Sequence, residues 1–310
     1  MTVEVGGMLA AGIIALVAGF ALAWPRLRAA SGADRVVLSG PVFEAAALAA
    51  FGAEHLLGAR DIVPLVPHWM PWPLFWTYLV GAAFLAAALS LMAWQCVRWS
   101  ASLLALLFFL FVVAIDLPGL PQGVHDRFFW TLTVRETMFA SGALVLAASF
   151  GGLRVLGGRL LALAGRSFVA ATLIFYAIEH FLFPRNAPGV PLELITPAWM
   201  PAPRGIACAI GIVLLLGGIG LFIRPAIRTA SAGCGSILLL LTAFFYVPIL
   251  AGEIRTPQAV EGLNYVYDTM LFASTVLLVG FPSLAEAPEP QIRQRIAAGV
   301  GKGESGAPEL

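Results

Sequence analysis

Long apolar segments are the feature that most restricts what this chain can fold into. A helix that crosses the hydrocarbon core of a bilayer needs about 20 mostly apolar residues. The apolar segments here are rich in Leu and Ala and lack the alternating pattern of a barrel strand. Because a bilayer accepts only helices and closed barrels, the sequence predicts an all-α polytopic membrane protein with about nine transmembrane helices, at 7–24, 41–58, 73–95, 100–117, 131–150, 167–183, 203–223, 232–250 and 262–281.

The composition agrees with a lipid environment. The chain is 60% hydrophobic and 11% charged, whereas a soluble domain carries about 25% charged residues. Such a chain could not cover its own surface in water, so the lipid bilayer is its first partner. A net charge of +1 leaves no basic footprint for nucleic acid. Cys96, Cys208 and Cys234 form no CxxC motif and are interpreted as small apolar residues.

The distribution of basic residues predicts an orientation. The first segment, 7–24, follows an acidic residue and precedes arginines, which is the pattern of an uncleaved helix with its N-terminus outside. This topology places most basic residues in cytoplasmic segments. It predicts a bacterial-type inner membrane protein with a cytoplasmic C-terminus, whose tail, 282–310, is disordered. Of the 18 Lys and Arg residues, the outer segments hold only Arg60, Arg127, Arg135, Arg185, Arg204 and Arg255.

The chain contains an internal repeat. The matching pairs occur in one order: Glu54–His55 with Glu179–His180, VPHWMPWP (66–73) with TPAWMPAP (196–203), Pro118 with Pro248, and ETMFAS (136–141) with DTMLFAS (268–274). Each repeat holds four helices, so the repeats run parallel about an axis along the membrane normal. Each is predicted to be an up-down four-helix bundle. The predicted parts are an N-terminal helix and inner loop (1–35), a first repeat (36–150), an inner linker (151–166) and a second repeat (167–281).

These motifs resemble those of a known family. GAEH and AIEH, the loops ending in P-x-W-M-P-x-P, a mid-helix Gly, and an acid that opens the last helix before FAS are similar to the DoxX-like membrane proteins. Members of that family are generally single four-helix units, so the resemblance implies two such units in tandem behind an extra helix. It also implies a redox-associated membrane role, since relatives are accessory parts of membrane redox complexes.

The two Glu–His pairs are the first candidate site residues. Glu54 lies four residues before Gly58, or about 6 Å below the outer end of its helix, and Glu179 is placed similarly. Adjacent residues point about 100° apart on a helix, so neither pair can hold a metal ion alone. No metal site is therefore expected.

Two interpretations of the pairs stay open. In a structural one, the carboxylates accept from a facing arginine, for which Arg135, Arg185 and Arg255 are available, and the histidines fill the bundle. In a functional one, Glu and His exchange protons with a small molecule such as a quinone.

Further polar residues accompany the pairs. Trp69 and Trp199 in the outer loops either belong to the interfacial belt or roof a flat ligand. Glu44 is expected in the first turn of a helix that begins at Pro41, where the helix dipole favours an acid. The remaining candidates are Asp116, Arg135 and Glu136 in the first repeat and Tyr246 and Asp268 in the second.

The preferred function is a redox- or quinone-associated accessory subunit with a small-molecule pocket near the outer face. The chain has no CxxC, bis-His haem spacing or GxGxxG, so any oxidoreductase activity would need a partner protein. The cofactor expected is at most a loosely held quinone. A small-solute transporter or channel is the rival, disfavoured because the sequence shows no mid-helix acids in both repeats and no paired broken helices. A non-catalytic assembly factor is the third class.

Overall fold

A computed structural model describes residues 2–151, 157–190 and 194–281, and of Gln122 only the backbone. The predicted tail, 282–310, and residues 152–156 of the predicted linker lie outside the described residues. Within the described part, helices form the whole scaffold, and the β-structure is one isolated bridge between Asn186 and Ile195.

Twelve α-helices are numbered here in chain order within the described residues. Short 3₁₀ turns cover Val63–Leu65 and Arg224–Ala226. The helices are α1 (Val3–Ala29), α2 (Gly32–Leu57), α3 (Ala59–Ile62), α4 (Pro73–Ala93), α5 (Val97–Phe111), α6 (Leu117–Gly123), α7 (Arg127–Ser149), α8 (Gly158–Leu182), α9 (Pro203–Phe222), α10 (Ile227–Leu241), α11 (Val247–Glu253) and α12 (Ala259–Leu278).

The fold is that of an all-α polytopic membrane protein. Seven helical segments of the described chain are long and apolar enough to cross a bilayer: Val3–Ala29, Gly32–Leu57, Pro73–Ala93, Val97–Pro121, Gly158–Leu182, Pro203–Phe222 and Arg224–Glu253. Helices α7 and α12 are also long, with 23 and 20 residues, but both carry charged residues in their first halves. Their membrane crossing, and with it the total of about nine, stays a prediction.

The turn between α1 and α2 is shorter than predicted. Residues 1–35 were expected to end in an inner loop, but α2 already begins at Gly32. The Arg35 side chain donates to the carbonyl oxygens of Leu27 (2.9 Å) and Ala30 (2.8 Å). These bonds satisfy carbonyls at the end of α1 that have no partner within the helix. The predicted linker also shortens, because α8 begins at Gly158.

The early start of α2 corrects the expectation for Glu44. Pro41 lies inside the helix instead of at its first turn. Glu44 is therefore near the middle of a 26-residue helix and is completely buried. The helix dipole at an N-terminus cannot stabilise a carboxylate at this depth, since its effect is confined to the first turn.

Matching irregularities recur in the two repeats. A π-helical turn follows α5 at Val112–Asp116, and another follows α10 at Thr242–Tyr246. Proline follows each turn after one further residue, and the wider turn accommodates its missing N–H and bulky ring. The left-handed residues Trp72 (φ 55°) and Ala202 (φ 46°) precede α4 and α9. The repeated segments thus share backbone geometry as well as sequence.

The helices of the repeats interlock. Along the chain, α2, α4, α5 and α7 pack in sequence, as do α8, α9, α10 and α12. The first helix of each repeat packs on the last helix of the other, α2 on α12 and α8 on α7, and α7 also touches α12. This arrangement differs from two self-contained four-helix bundles. Because α7 and α12 meet where the repeats join, their polar residues share one region.

Candidate functional site

Charged side chains converge where α7 meets α12. The Arg135 guanidinium on α7 forms an ion pair with Asp268 on α12. The next residue, Glu136, interacts electrostatically with Asp116, Arg135 and Asp268. Asp116 comes from the π-helical turn after α5. These four residues are called the acidic cluster below, and they bring together candidates that the sequence had assigned to separate repeats.

The acidic cluster lies well inside the bundle. The end at which α2 finishes and α7 begins, predicted to face outward, is called the outer end. Arg135 is eight residues into α7, which places it about 12 Å from that end. The side chains of Arg135 and Asp268 are 18% and 17% exposed, and Asp116 is buried. Acids therefore occur deep in helices of both repeats, contrary to the sequence interpretation.

The cluster holds more negative than positive groups. Three carboxylates face one guanidinium, and among the described residues the Oε2 atom of Glu136 and the Oδ2 atom of Asp116 have no hydrogen-bond partner. The Thr133 side chain is hydrogen-bonded to Asp116. Uncompensated charge inside a membrane protein is costly, so this excess of carboxylates is the most unusual feature of the described bundle. No group of three or more His, Cys, Asp or Glu side chains with a geometry that could hold a metal ion occurs in the described chain.

Polar residues connect the cluster to the outer end. The Asn264 amide donates to Glu54 Oε1 at 2.9 Å, and Glu54 interacts electrostatically with both Asp268 and Glu4. Glu4 in turn interacts with Asp61, which is exposed. Asn264, Glu54, Glu4 and Asp61 are called the acidic path below. It links the buried cluster to the surface.

Gly58 makes room for this path. A Cβ atom at Gly58 would collide with the Glu4 carboxylate. The end of α2 therefore leaves room for the Glu4 carboxylate, from the first turn of α1, beside Gly58.

His180 has no free ring nitrogen. Its Nδ1 atom donates to the Tyr176 carbonyl (2.6 Å), and its Nε2 atom accepts from the Gly189 N–H (2.7 Å). The second bond requires Nε2 to be unprotonated, which fixes the neutral tautomer with the proton on Nδ1. The residue is 2% exposed. This arrangement supports the structural interpretation of His180.

The second repeat is closed by its own loop. Pro188 and Gly189 reach into the outer end, where the Tyr246 hydroxyl donates to the Pro188 carbonyl. Gly189 has φ 103°, a backbone geometry that disfavours a side chain. The flanking Ala187 and Val190 are buried. Tyr246 occupies the position that matches Asp116. In the second repeat, this loop therefore fills the region in which the first repeat has an acid.

The ion-pair partners differ from those expected. Glu179 pairs with Arg127 at the start of α7, instead of with Arg185 or Arg255. The Arg127 guanidinium also lies 4.1 Å from the centre of the Phe183 ring. Glu54 bonds to Asn264, since Arg135 is engaged by Asp268. All four of these contacts cross the boundary between the repeats, which explains why matching within one repeat missed them.

The remaining candidates lie apart from the cluster. His55 uses Nδ1 on the Phe51 carbonyl (2.8 Å) and packs edge-on against Phe84. It is half-buried. Trp69 and Trp199 are 69% and 58% exposed, which fits an interfacial belt better than a roof over a buried ligand.

Sequence reasoning overlooked Asn264 and Arg127 as site residues. Asn264 was detectable in principle, because it precedes Asp268 by four residues and so shares one face of α12. Arg127 had no comparable signal, since its partner is on another helix.

Comparison with known proteins identifies no relative of this chain. The resemblance to DoxX-like proteins therefore rests on the sequence motifs, and membership of that family stays an expectation. The chain matches no protein-family model, no curated protein and no solved structure in these comparisons.

Proposed function

We propose that this integral membrane protein is a proton-coupled transporter of a small solute, with the acidic cluster as its proton-exchange site. The observation that carries the proposal is the buried excess of carboxylates between α7 and α12, with free oxygens on Glu136 and Asp116. Ionisable residues inside membrane bundles commonly mark proton relays or substrate pathways. The acidic path would give protons access from the outer end.

The position of the cluster supports the same proposal. In transporters built from repeats, sites lie where the repeats meet and are formed by discontinuous helices. Here the cluster lies between the last helices of both repeats, and π-helical turns interrupt α5 and α10 at matching positions. Acids deep in both repeats and paired π-helical turns support a transporter against the objections that the sequence raised. The proposal includes a location in a bacterial-type inner membrane, with the N-terminus of the chain outside.

The first test measures proton movement. The purified protein is reconstituted into phosphatidylethanolamine/phosphatidylglycerol liposomes that contain a pH-sensitive dye, and a potassium gradient with valinomycin imposes a membrane potential. We expect proton flux in the wild type and at least about a tenfold loss in Glu136→Gln, since the amide cannot exchange a proton. Asp34→Asn is the matched control, because Asp34 belongs to an ion pair with Arg228 away from the cluster.

A second readout covers strict coupling, in which protons move only with the solute. Infrared difference spectra after a pH jump report carboxyl groups that gain or lose protons. A signal that disappears in Glu136→Gln supports proton exchange even without flux. If the wild type gives neither flux nor a carboxyl signal, the proposal is wrong. Variants that lose thermal stability and nothing else would indicate the structural or assembly role.

A quinone-linked, redox-associated role is the second candidate. The observation in its favour is His55, which is half-buried at the outer end. Among the described residues, its one side-chain hydrogen bond is made by Nδ1. Because Nδ1 donates to the Phe51 carbonyl, Nε2 of the neutral ring is an acceptor. It could accept from a quinol hydroxyl, or donate to a quinone carbonyl after it takes a proton from the acidic path. His180 no longer supports this role, because both its ring nitrogens are bonded within the protein.

Lipid extracts of the purified protein test this second candidate. A bound quinone that is lost in His55→Ala and kept in His180→Leu would favour it over transport. Co-purification of a redox partner protein with the wild type would strengthen it. Extracts free of quinone, combined with proton flux, would exclude it in favour of the transporter.

A further inference from the structure

A depression lies at the end of the bundle opposite to the acidic path. It forms where α4 ends and α5 begins, and its volume is about 300 Å³. The lining residues are mostly aromatic or basic: Trp94, Cys96, Val97, Arg98, Trp99 and Phe150. We call it the basic–aromatic depression. Sequence topology predicts that this end faces the cytoplasm.

Two guanidinium groups are held there on indole rings. The Arg98 guanidinium lies 5.0 Å from the Trp99 ring centre, and that of Arg26, near the end of α1, lies 4.8 Å from the Trp94 ring centre. Stacking on an aromatic face restrains an arginine without using its N–H donors. Both side chains can therefore still donate to an anion.

One of the lining residues, Trp94, carries a donor that has no acceptor among the described residues. The Trp94 Nε1 atom is buried and has no hydrogen-bond partner among the described residues. Its ring packs against those of Phe150 and Phe281, with centroid distances of 6.0 and 6.1 Å. A buried donor without an acceptor costs about 1–3 kcal/mol, so an acceptor from outside the chain would stabilise this site.

The start of α5 adds a third attraction for an anion. The N-cap residue, Cys96, makes no side-chain hydrogen bond to the first turn of this 15-residue helix. Its backbone has φ 55°. The N–H groups and the positive dipole end of such a turn favour a negative ligand.

In the second repeat, the arginine at the position that matches Arg98 is neutralised by an ion pair. Arg228 occupies the position that matches Arg98, and it forms an ion pair with Asp34 at 3.0 Å. Among the described residues, no carboxylate pairs with Arg98. The charge of Arg98 therefore lacks the internal partner that the matching arginine has.

We propose that the basic–aromatic depression binds a phosphate group, supplied by the head group of an anionic phospholipid. Arg26 and Arg98 would donate to phosphate oxygens, and Trp94 would supply its indole N–H. Basic pockets between helices at the cytoplasmic side are suited to such head groups. A free phosphate ion carries the same chemistry and is the alternative source. This site is independent of the proposed transport function.

Native mass spectrometry of the detergent-purified full chain tests the proposal. Phosphatidylglycerol, phosphatidylcholine and inorganic phosphate are titrated separately. We expect one phosphatidylglycerol to bind at least about tenfold more tightly than phosphatidylcholine. Arg98→Gln and Arg26→Gln should each weaken it about tenfold, and Trp94→Phe, which removes only the N–H, about three- to tenfold. Arg228→Gln, the matched control, should leave the affinity within about twofold.

The outcomes separate the two sources of phosphate. Tight binding of inorganic phosphate without preference for phosphatidylglycerol, lost in Arg98→Gln, would assign the site to a free ion and overturn the lipid assignment. Equal binding of both lipids, or equal losses in Arg98→Gln and Arg228→Gln, would overturn the proposal altogether. Since Arg98 is exposed, its substitution should leave the fold intact, which a thermal melt of each variant verifies.

Discussion

At the scale of single residues, Glu44 offers the clearest test of how a buried acid is tolerated. It is 0% exposed, and one carboxylate oxygen bonds to Ser274, whereas Oε1 has no hydrogen-bond partner in the part of the chain that the structure describes. Val169, which occupies the matching position of the second repeat, is also 0% exposed. An apolar side chain thus fills the equivalent place without difficulty.

We therefore expect Glu44→Met to raise stability. The substitution removes an unsatisfied buried oxygen, whose cost is about 1–3 kcal/mol, and Ser274 keeps its bond to the Leu271 carbonyl. Thermal melts in detergent, followed by tryptophan fluorescence, measure the change, with Glu44→Gln as the control of nearly equal shape. A lower melting temperature in Glu44→Met would mean that the acid has a favourable role that the contacts do not reveal.

The two histidines should respond differently to the same change. His180→Leu removes the acceptor for the Gly189 N–H and so releases the loop that closes the second repeat, at an expected cost of about 1–3 kcal/mol. His55→Leu removes a bond to Phe51 only, and we expect less than about 1 kcal/mol. Limited proteolysis near residues 183–190, together with thermal melts, compares the variants. Equal effects would contradict the structural role assigned to His180.

The sequence allowed the polar site residues to be named wherever the internal repeat drew attention to them. Asp116, Arg135, Glu136 and Asp268 were all named, but as separate polar groups of two units. Their convergence depends on contacts between the repeats, which no spacing within one repeat encodes. For Glu44 the error came from Pro41, which is tolerated inside α2 although proline usually marks a helix start.

At the scale of helices, close packing depends on glycines that face a neighbouring backbone. A Cβ atom at Gly218 of α9 would lie 2.7 Å from the Ala170 carbonyl oxygen of α8, whereas one at Gly233 of α10 would have no heavy atom within 4 Å. Small residues at such crossings allow helices in membranes to approach each other. The sequence alone does not rank the glycines of α9 by how closely each meets a neighbouring backbone.

These two glycines form a matched pair for a test. We expect Gly218→Ala to destabilise the protein by about 1–3 kcal/mol, because backbone must move apart to admit the methyl group. Gly233→Ala should be neutral or stabilising by up to about 1 kcal/mol through higher helix propensity. Thermal melts of both variants in one detergent suffice. Equal melting temperatures would show that the α8–α9 contact is looser than described.

At the scale of the whole molecule, hydropathy predicted where the apolar segments lie and that they are helical. It did not predict which helices of the two repeats pack against each other. Up-down connections predicted one four-helix bundle in each repeat and left open how the two repeats pack. The observed packing pairs the first helix of each repeat with the last helix of the other. Tandem units can exchange partners because the faces of α2 and α8, and of α7 and α12, derive from the same repeated pattern.

This interlocking predicts that neither repeat is stable alone. Chains 1–153 and 154–310, divided between α7 and α8, should each be degraded or aggregate when expressed singly, since α2 would lack α12 and α7 would lack α8. Expressed together from one vector, with a tag on one half only, they should co-purify as a one-to-one complex.

Gly142→Leu tests the contact between the halves, because a side chain there would collide with Thr275 of α12 and should lower the yield of complex. If the separate halves fold independently and Gly142→Leu does not change the yield of complex, the repeats are two autonomous bundles. The acidic cluster would then be an interface between units instead of part of one core.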